Sequence, residues 1–367
     1  GSDREIVRGL AKYGPDIIAV SAMSIQHEWL SRITQALRAD NFKQPIIVGG
    51  PHPTFAPEQV IGLPAVDVIC RGEGEGAMAE FTDAVAAGRD YSAIPNLWVK
   101  KRGPGGGLPG SREITRNFVR PLIKDLDALP FADRDLYMGY KYFHNKPFEG
   151  FLAGRGCPYD CTFCFNHQFR ELYGGARDRR RTARNVVDEI KAVHGSKPIR
   201  IVWFMDSTFN LNREWFLSFC DLFARESDLG MTCNVRLHLL DDDMARAMAK
   251  ARCRSARFAI ESGNEGLRNR VLKKVLKDED ILAGVELFRK HGVPFATANM
   301  MGMPDETLAM AWETILINRR IQPMFVDMGL FTPYPNLEIT EYAKRQGCLT
   351  DAGIEEMAHG RKKMLSS

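Results

Sequence analysis

Gly154-Arg155-Gly156-Cys157-Pro158-Tyr159-Asp160-Cys161-Thr162-Phe163-Cys164 is the stretch that decides how this chain is read. Cys157, Cys161 and Cys164 form a C-x3-C-x2-C run. Three thiolates this close can hold three corners of an iron–sulfur cube, whose full set of protein ligands is four. A cube with three protein ligands leaves one iron open, as catalytic metal sites do for a substrate or cosubstrate. A structural zinc site is the competing reading, with the nearby His167 as a fourth ligand. Zinc ribbons, however, pair two Cys-x-x-Cys units, or a Cys pair with a His pair, and neither arrangement is present.

The 367 residues are enough for two or three domains with a large core. Hydrophobic residues at 44% and charged residues at 26% fit a soluble globular protein. No run approaches the ~18 apolar residues of a membrane span. No signal peptide is visible, and the opening Gly1-Ser2 has the look of a cloning scar. A net charge of +4 is too small to argue for a nucleic-acid partner. The basic run from Arg177 to Arg184 reads as a solvated loop and helix start rather than an anion site. Of eight cysteines, Cys70, Cys220, Cys233, Cys253 and Cys348 are scattered, mostly beside apolar residues. That spacing argues against a secreted disulfide framework and for a reducing, cytoplasmic compartment.

The expected architecture is α/β. Residues 16–21, 45–48 and 66–70 read as buried strands, with helices at 28–37 and from 75 to about 87. Strands separated by helices imply parallel βαβ units, whose ligands sit at the strands' carboxyl ends. Residues 101–149 show no repeating unit. They hold a Gly/Pro-rich turn at Gly103–Gly110 and a connector around Ile123–Phe131. From Phe151 the alternation resumes, with strands at 151–154, 199–205, 231–236, 256–261, 294–300 and 324–330. Helices are expected at about 183–194, 212–226, 241–250, 278–291 and 306–318. Six βα units are too few for a closed eight-strand barrel and fit a partial one, its first strand running directly into the cysteine loop.

The cysteine spacing, with the aromatic Phe163 directly before the third Cys, resembles the radical S-adenosylmethionine superfamily. The resemblance implies a partial (β/α)6 barrel, a [4Fe-4S] cluster on Cys157, Cys161 and Cys164, and S-adenosylmethionine chelated to the open iron. Later strand ends carry further matches. Asp206, in Trp203–Asn210, stands where the superfamily binds the cosubstrate's amino group, or it simply caps the next turn with Ser207. Arg236, after Asn234-Val235, offers a planar fork for the cosubstrate carboxylate or for a structural ion pair. Glu261-Ser262-Gly263 resembles the superfamily's Glu-Ser-Gly turn, suited to a ribose and an amino-acid group, or supplies a plain N-cap. Met301-Gly302-Met303-Pro304-Asp305-Glu306-Thr307 resembles the Gly-x-Pro-x-Glu-Thr segment whose backbone, at Gly302, reads the adenine edge. Glu306 can equally be a helix-start residue facing the macrodipole. Thr332–Leu337 resembles a Pro-x-Pro-Gly-Thr turn, with Asn336-Leu337 in place of Gly-Thr.

The first hundred residues resemble the flavodoxin-like, Rossmann-like cobalamin-binding domain of one class of this superfamily. The matching residues are Ser21-Ala22-Met23, Gly49-Gly50-Pro51-His52-Pro53-Thr54 and Arg71-Gly72-Glu73-Gly74-Glu75. The resemblance places Ser21, Met23, Gly49, Gly50 and Glu73 around the corrinoid, where close backbone approach favours glycine. A Rossmann-like domain with ordinary tight turns is the alternative. The Asp-x-His-x-x-Gly motif of His-ligated cobalamin proteins is absent, so no His ligand to cobalt is expected, His52 included. The usual module has one or two strands and a helix ahead of the first strand seen here. The expected domains are 1–100 (cobalamin-binding-like), 101–149 (connector), 150–345 (radical core) and 346–367 (tail). The resemblance implies a methyltransferase acting on an unactivated carbon or a phosphinate phosphorus, through a 5′-deoxyadenosyl radical and methylcobalamin. Its partners would be a small-molecule substrate and a flavodoxin- or ferredoxin-type electron donor. A cyclase resembling the anaerobic magnesium-protoporphyrin ester cyclase is the neighbouring alternative, and a non-catalytic cluster or zinc protein the distant one.

Overall fold

The computed structural model describes residues 2–101, 113–140, 143, 146–175, 178–350 and 352–354. The Gly/Pro-rich turn at 103–110, Arg177 and most of the C-terminal tail lie outside these. The chain divides into two compact units. One comprises Gly1–Leu122, Gln168–Ala176 and Pro333–Ser367; the other comprises Ile123–His167 and Arg177–Thr332.

The first unit is built on β1 (Ile18–Ser21), β2 (Ile46–Gly49), β3 (Val68–Cys70), β4 (Leu97–Lys100) and β5 (Ile114–Arg116), adjacent in that order. β1, β2 and β3 are parallel, with Ile18 opposite Ile46 and Ile47 opposite Val68. The strand period of two divides the core. Ile46, Val48 and Ile69 join Leu30, Ile33 and Leu37 of the helix His27–Ala39 on one face. Ile47, Val68 and Cys70 join Ala77 and Phe81 of the helix Glu75–Ala86 on the other. Ile46, Ile47 and Val48 are all buried, as strands covered on both faces must be. Each such side chain contributes roughly 1.5–3 kcal/mol of burial.

The parallel expectation holds for the three strands marked in the sequence; β4 and β5, which are not marked there, pair antiparallel. Asn96, directly before β4, has φ at 74°, and its amide side chain donates to the carbonyls of Arg71 and Glu73 that follow β3. β5 falls in the stretch that shows no repeating unit in the sequence.

The second unit holds a six-strand, all-parallel sheet in the order β13-β12-β11-β10-β9-β6. Its strands are β6 (Phe148–Phe151), β9 (Ile201–Phe204), β10 (Gly230–Asn234), β11 (Cys253–Glu261), β12 (Phe295–Met301) and β13 (Phe325–Leu330). Strand order follows chain order, as in a partial barrel, and the first and last strands do not pair among the described residues. Phe216, Phe219, Cys220 and Phe223, on one face of the helix Arg213–Glu226, are buried beside Phe204 and Phe209 in the main core. Thr182, Asn212, Asp241, Asn264 and Thr307 each cap a helix by accepting a backbone N–H three residues on. Caps of this kind contribute ~1 kcal/mol each.

Two expectations are corrected here. The first strand does not run from 151 to 154 into the cysteine loop. It ends at Phe151, and a separate antiparallel ribbon of β7 (Gly154–Arg155) with β8 (Arg179–Arg180) follows. A side chain at 154 would meet the Arg179 carbonyl at 2.9 Å, which keeps that ribbon close. The basic run is solvated only in part: Arg184 is half exposed at the start of a helix, as expected, but Arg180 and Arg181 are not. Arg180 is nearly buried, paired with Asp178 at 2.8 Å and donating to the carbonyls of Thr208 and Phe209. Arg181 pairs with the buried Glu189 at 2.5 Å. Composition reads such a run as surface, whereas the fold uses its guanidinium groups to satisfy loop carbonyls.

Candidate functional site

At the carboxyl ends of β9, β10 and β11 lies a cavity of about 270 Å³ lined by Cys157, Cys161 and Cys164 together with Phe163, Arg236 and Glu261. Cys157 and Cys161 are buried and Cys164 nearly so. Burial, then the neighbouring cysteines, pushes the Cys164 thiol up. Each sulfur has a polar partner from a different segment. Thr208 Oγ1 lies 3.8 Å from Cys157 Sγ, Arg236 Nη2 donates to Cys161 Sγ at 3.2 Å, and Asn166 Nδ2 donates to Cys164 Sγ at 3.3 Å.

This donor set fits a cube better than a single ion. Among the described residues no three His, Cys, Asp or Glu side chains are close enough to share one metal. Three zinc ligands must all come within about 2.3 Å of one centre, whereas each thiolate of a cube takes its own iron and the sulfurs stand further apart. His167, the proposed zinc ligand, does not line the cavity.

Of the other expected residues, the structure gathers some at the cavity and places others behind it. Glu261 is at its wall, 7% exposed, with φ at 67°. A non-glycine residue in this region is strained by about 1–3 kcal/mol, and such strain concentrates at functional sites. Its carboxylate meets Lys274 Nζ at 3.3 Å, and that ammonium also stands 5.6 Å from the Phe163 ring centroid. Ser262 is buried and turned into the fold, where its hydroxyl accepts from Asn264 N–H. Gly263 is demanded by packing: a Cβ there would come within 2.3 Å of the backbone at Glu313 and Thr314.

Asp206 does not line the cavity. It is 3% exposed and accepts from Ala153 N–H at 3.0 Å, tying the end of the first strand to β9. Burial pushes its carboxyl up to about 6 against the opposing hydrogen bonds and Arg180. Ser207 and Thr208 line the wall instead. Gly302, with φ at 77°, donates its N–H to Glu306 at 2.5 Å, and burial raises the Glu306 carboxyl.

Arg236 is held on four sides. Its backbone N–H donates to Asn210 Oδ1 at 2.9 Å, and Asn210 Nδ2 returns a bond to its carbonyl at 3.0 Å. Nη1 donates to the Lys274 carbonyl at 2.8 Å, and the guanidinium lies 3.4 Å from the Tyr159 ring centroid. Tyr159 is fixed in turn by a 2.8 Å hydrogen bond to His238.

Lys274 escaped the sequence reading, because residues 271–277 follow neither a helical nor a strand period. Lys273 and Val275, on either side of it, both have positive φ, 49° and 52°. Arg268, fully buried, holds that segment: it donates to the carbonyls of Leu276 and Ser262, each at 2.8 Å, and pairs with Asp278 at 2.5 Å. Nothing in the polar stretch Glu265–Arg270 marks Arg268 out as a buried residue.

In the first unit the expected residues sit on the turns after β1, β2 and β3, and hydrogen bonds tie these turns together. Ala22 N–H donates to Gly49 O and His52 N–H to Ala22 O, each at 3.0 Å. Thr54 Oγ1 donates to Gly50 O at 2.8 Å and accepts from Gly72 N–H at 3.0 Å. Gly50 has φ at 95°, and a Cβ there would stand 2.8 Å from Ser21 Oγ and 3.0 Å from the Ala22 carbonyl. Met23 is half exposed, its N–H donating to Gln26 Oε1 at 2.9 Å. Glu73 N–H donates to the Tyr173 hydroxyl at 2.7 Å. His52 is buried with its Nε2 2.8 Å from His27 Nδ1. Burial, then His27, pushes its imidazole down to about 4.

The chain matches the Radical SAM superfamily over residues 151–316 and the B12 binding domain over residues 2–82. It is 28% identical over 342 residues to a Pyrococcus horikoshii protein named as an uncharacterized methyltransferase, covering 92% of this chain and 72% of that protein. It is 25% identical over 341 residues to the anaerobic magnesium-protoporphyrin IX monomethyl ester cyclase of Rubrivivax gelatinosus, covering 91% of this chain and 59% of the cyclase. It therefore spans less than two thirds of the cyclase's length. The radical S-adenosylmethionine methyltransferase TsrM from Kitasatospora setae shares the fold, with a TM-score of 0.72 at 20% identity over 94% of this chain and 68% of TsrM. No helix among the described residues is long and apolar enough to cross a membrane.

Proposed function

The chain belongs to the radical SAM superfamily and carries a B12-binding domain, with a [4Fe-4S] cluster, S-adenosylmethionine and cobalamin as its cofactors; on that premise we propose that it is a methyltransferase acting on an unactivated carbon or a phosphinate phosphorus of a small molecule. The observation that carries this reading is the alignment with a named methyltransferase across 92% of the chain, both matched domains included. When bound, the cofactors supply a 5′-deoxyadenosyl radical and a transferable methyl group, chemistry beyond the reach of side chains.

The protein's own residues bind and orient. Cys157, Cys161 and Cys164 hold the cluster in the cavity they line. Glu261 and Lys274, paired at 3.3 Å on that cavity's wall, take the amino and carboxylate groups of S-adenosylmethionine, exchanging their mutual contact for two complementary ones. Neither charge is then left buried and unpaired, which would cost several kcal/mol. Phe163 and Ser207 shape the same wall. Asp206 acts one step back, fixing the backbone at Ala153 ahead of the cysteine loop. The turns bearing Ser21, Met23, Gly49, Gly50 and Glu73 receive the corrinoid through backbone approach. His52, buried with its Nε2 engaged by His27 Nδ1 at 2.8 Å, is given no role at cobalt in this reading.

The 25% identity to the cyclase over 91% of this chain favours a second reading, oxidative ring closure. Product analysis separates the two. Reconstituted full-length protein, incubated anaerobically with S-adenosylmethionine, dithionite and candidate substrates, releases S-adenosylhomocysteine together with 5′-deoxyadenosine if it transfers methyl groups. Release of 5′-deoxyadenosine alone would sink methyl transfer in favour of the oxidative reading.

A further inference from the structure

The sequence offers Arg236 to a cosubstrate carboxylate or to a structural ion pair; in the structure its Nη2 lies on Cys161 Sγ at 3.2 Å. We propose that Arg236 sets the reduction potential of the cluster by donating a charge-assisted hydrogen bond to the Cys161 thiolate. This inference rests on the cluster assignment above.

Three observations carry it. Of Arg236, Thr208 and Asn166, which stand at the cysteine sulfurs, Arg236 is the charged one. Hydrogen bonds from ionised donors are about twice as strong as neutral ones, and hydrogen bonds and net charge around the sulfurs tune cluster potentials. Second, the guanidinium is not free to follow a cosubstrate. Nη1 is committed to the Lys274 carbonyl, one face lies on the Tyr159 ring, and Asn210, fully buried, clamps the backbone from both sides. Third, the cavity already has a cation suited to a carboxylate: Lys274, which meets Glu261 on its wall.

The direction follows from charge. Reduction adds one electron, taken from an external one-electron donor, to a centre already made negative by three thiolates. A fixed cation at one thiolate stabilises the reduced state more than the oxidised one. Arg236 therefore raises the potential and makes the cluster easier to reduce. Asn166 and Thr208 carry no charge and act more weakly in the same direction.

The test is an EPR-monitored redox titration of anaerobically reconstituted protein, using dithionite, alongside the KM for S-adenosylmethionine. In R236Q the reduction equilibrium constant should fall about tenfold, ~59 mV for a one-electron couple, with KM changing less than about threefold. R236K keeps the charge without the fork and should fall between R236Q and the native protein. An R236Q protein with full iron content and an unchanged midpoint overturns the inference, and a raised KM in that protein returns Arg236 to the cosubstrate carboxylate. If R236Q does not retain its cluster, Y159L tests the same point by releasing the guanidinium from its ring. A smaller shift to lower potential supports the inference, and no shift overturns it. A native protein that takes up no iron on reconstitution fails the cluster assignment itself, an outcome distinct from an iron-loaded protein with an indifferent Arg236.

Discussion

The strand ends of the two units solve the same problem with different parts. In the first unit the turns after β1, β2 and β3 are tied by backbone hydrogen bonds and one threonine, with glycine where a Cβ would collide. In the second unit the strand ends stand around a cavity, and side chains provide the partners: three cysteines, an arginine on a sulfur, a lysine against a glutamate. A surface made of backbone recognises shape and close approach. A surface made of thiols and charges recognises a cluster and a zwitterion. The glycine-rich unit should therefore be sensitive to added atoms, and the charged unit to removed ones.

Removing Cys161 is expected to have the largest effect. C161A should lower iron content to background and 5′-deoxyadenosine formation by at least about a hundredfold, because three protein ligands are already one short of a full set. Corrinoid content should stay near the native level. Iron analysis and absorption spectra check both, and equal loss of corrinoid would break the separation drawn here.

Next comes R268M. Arg268 is fully buried, and its loss takes this donor from the Ser262 carbonyl, while the Leu276 carbonyl keeps Asn269 Nδ2 at 3.1 Å. Asp278 is half exposed and keeps its hydration, so the cost is that of the stranded buried carbonyl, about 1–3 kcal/mol. Hydrogen exchange should show amides of 262–278 losing protection while those of 46–54 keep theirs.

Acid should act mainly on the first unit. Folded His52 is held down to about 4, by burial and then by His27, whereas an unfolded histidine titrates near 6.5. The unfolded chain takes up its proton first, so stability is full above about pH 6.5 and declines as pH falls towards 4. The linkage is on the order of 3 kcal/mol. Urea unfolding from pH 7 to pH 4 measures it, and H52N should flatten that slope; an unchanged slope would assign the acid sensitivity elsewhere.

The smallest effect is expected from G50A. At φ 95° with a carbonyl 3.0 Å from the new Cβ, alanine costs roughly 1–3 kcal/mol. Corrinoid retention should fall about tenfold, equivalent to ~1.4 kcal/mol, with iron content unchanged. Loss of iron in this variant would contradict the division of labour.

Much of this was legible in residue order. The strands at 46–49, 68–70 and 201–204 are short apolar runs, and that at 295–301 lies between Pro294 and Gly302; all four fold close to where the pattern puts them. The cysteine spacing named its chemistry. Asp206, Ser262 and Lys274 show where the pattern stopped helping. The first two occupy strand ends suited to a ligand, yet their side chains turn into the fold. Lys274 has no motif around it, and reaches the cavity because Arg268 pins a stretch with two left-handed residues.

By itself the sequence determined the two kinds of strand-end turn and the three-thiol run, because spacing along a chain limits which groups can meet locally. Only the tertiary structure decided that Arg236 rests on Cys161, 75 residues away, and that Glu261 faces Lys274 across a bend of left-handed backbone. Those pairings depend on which carbonyls and faces the packed core leaves for a charged side chain to satisfy, and no local spacing records that.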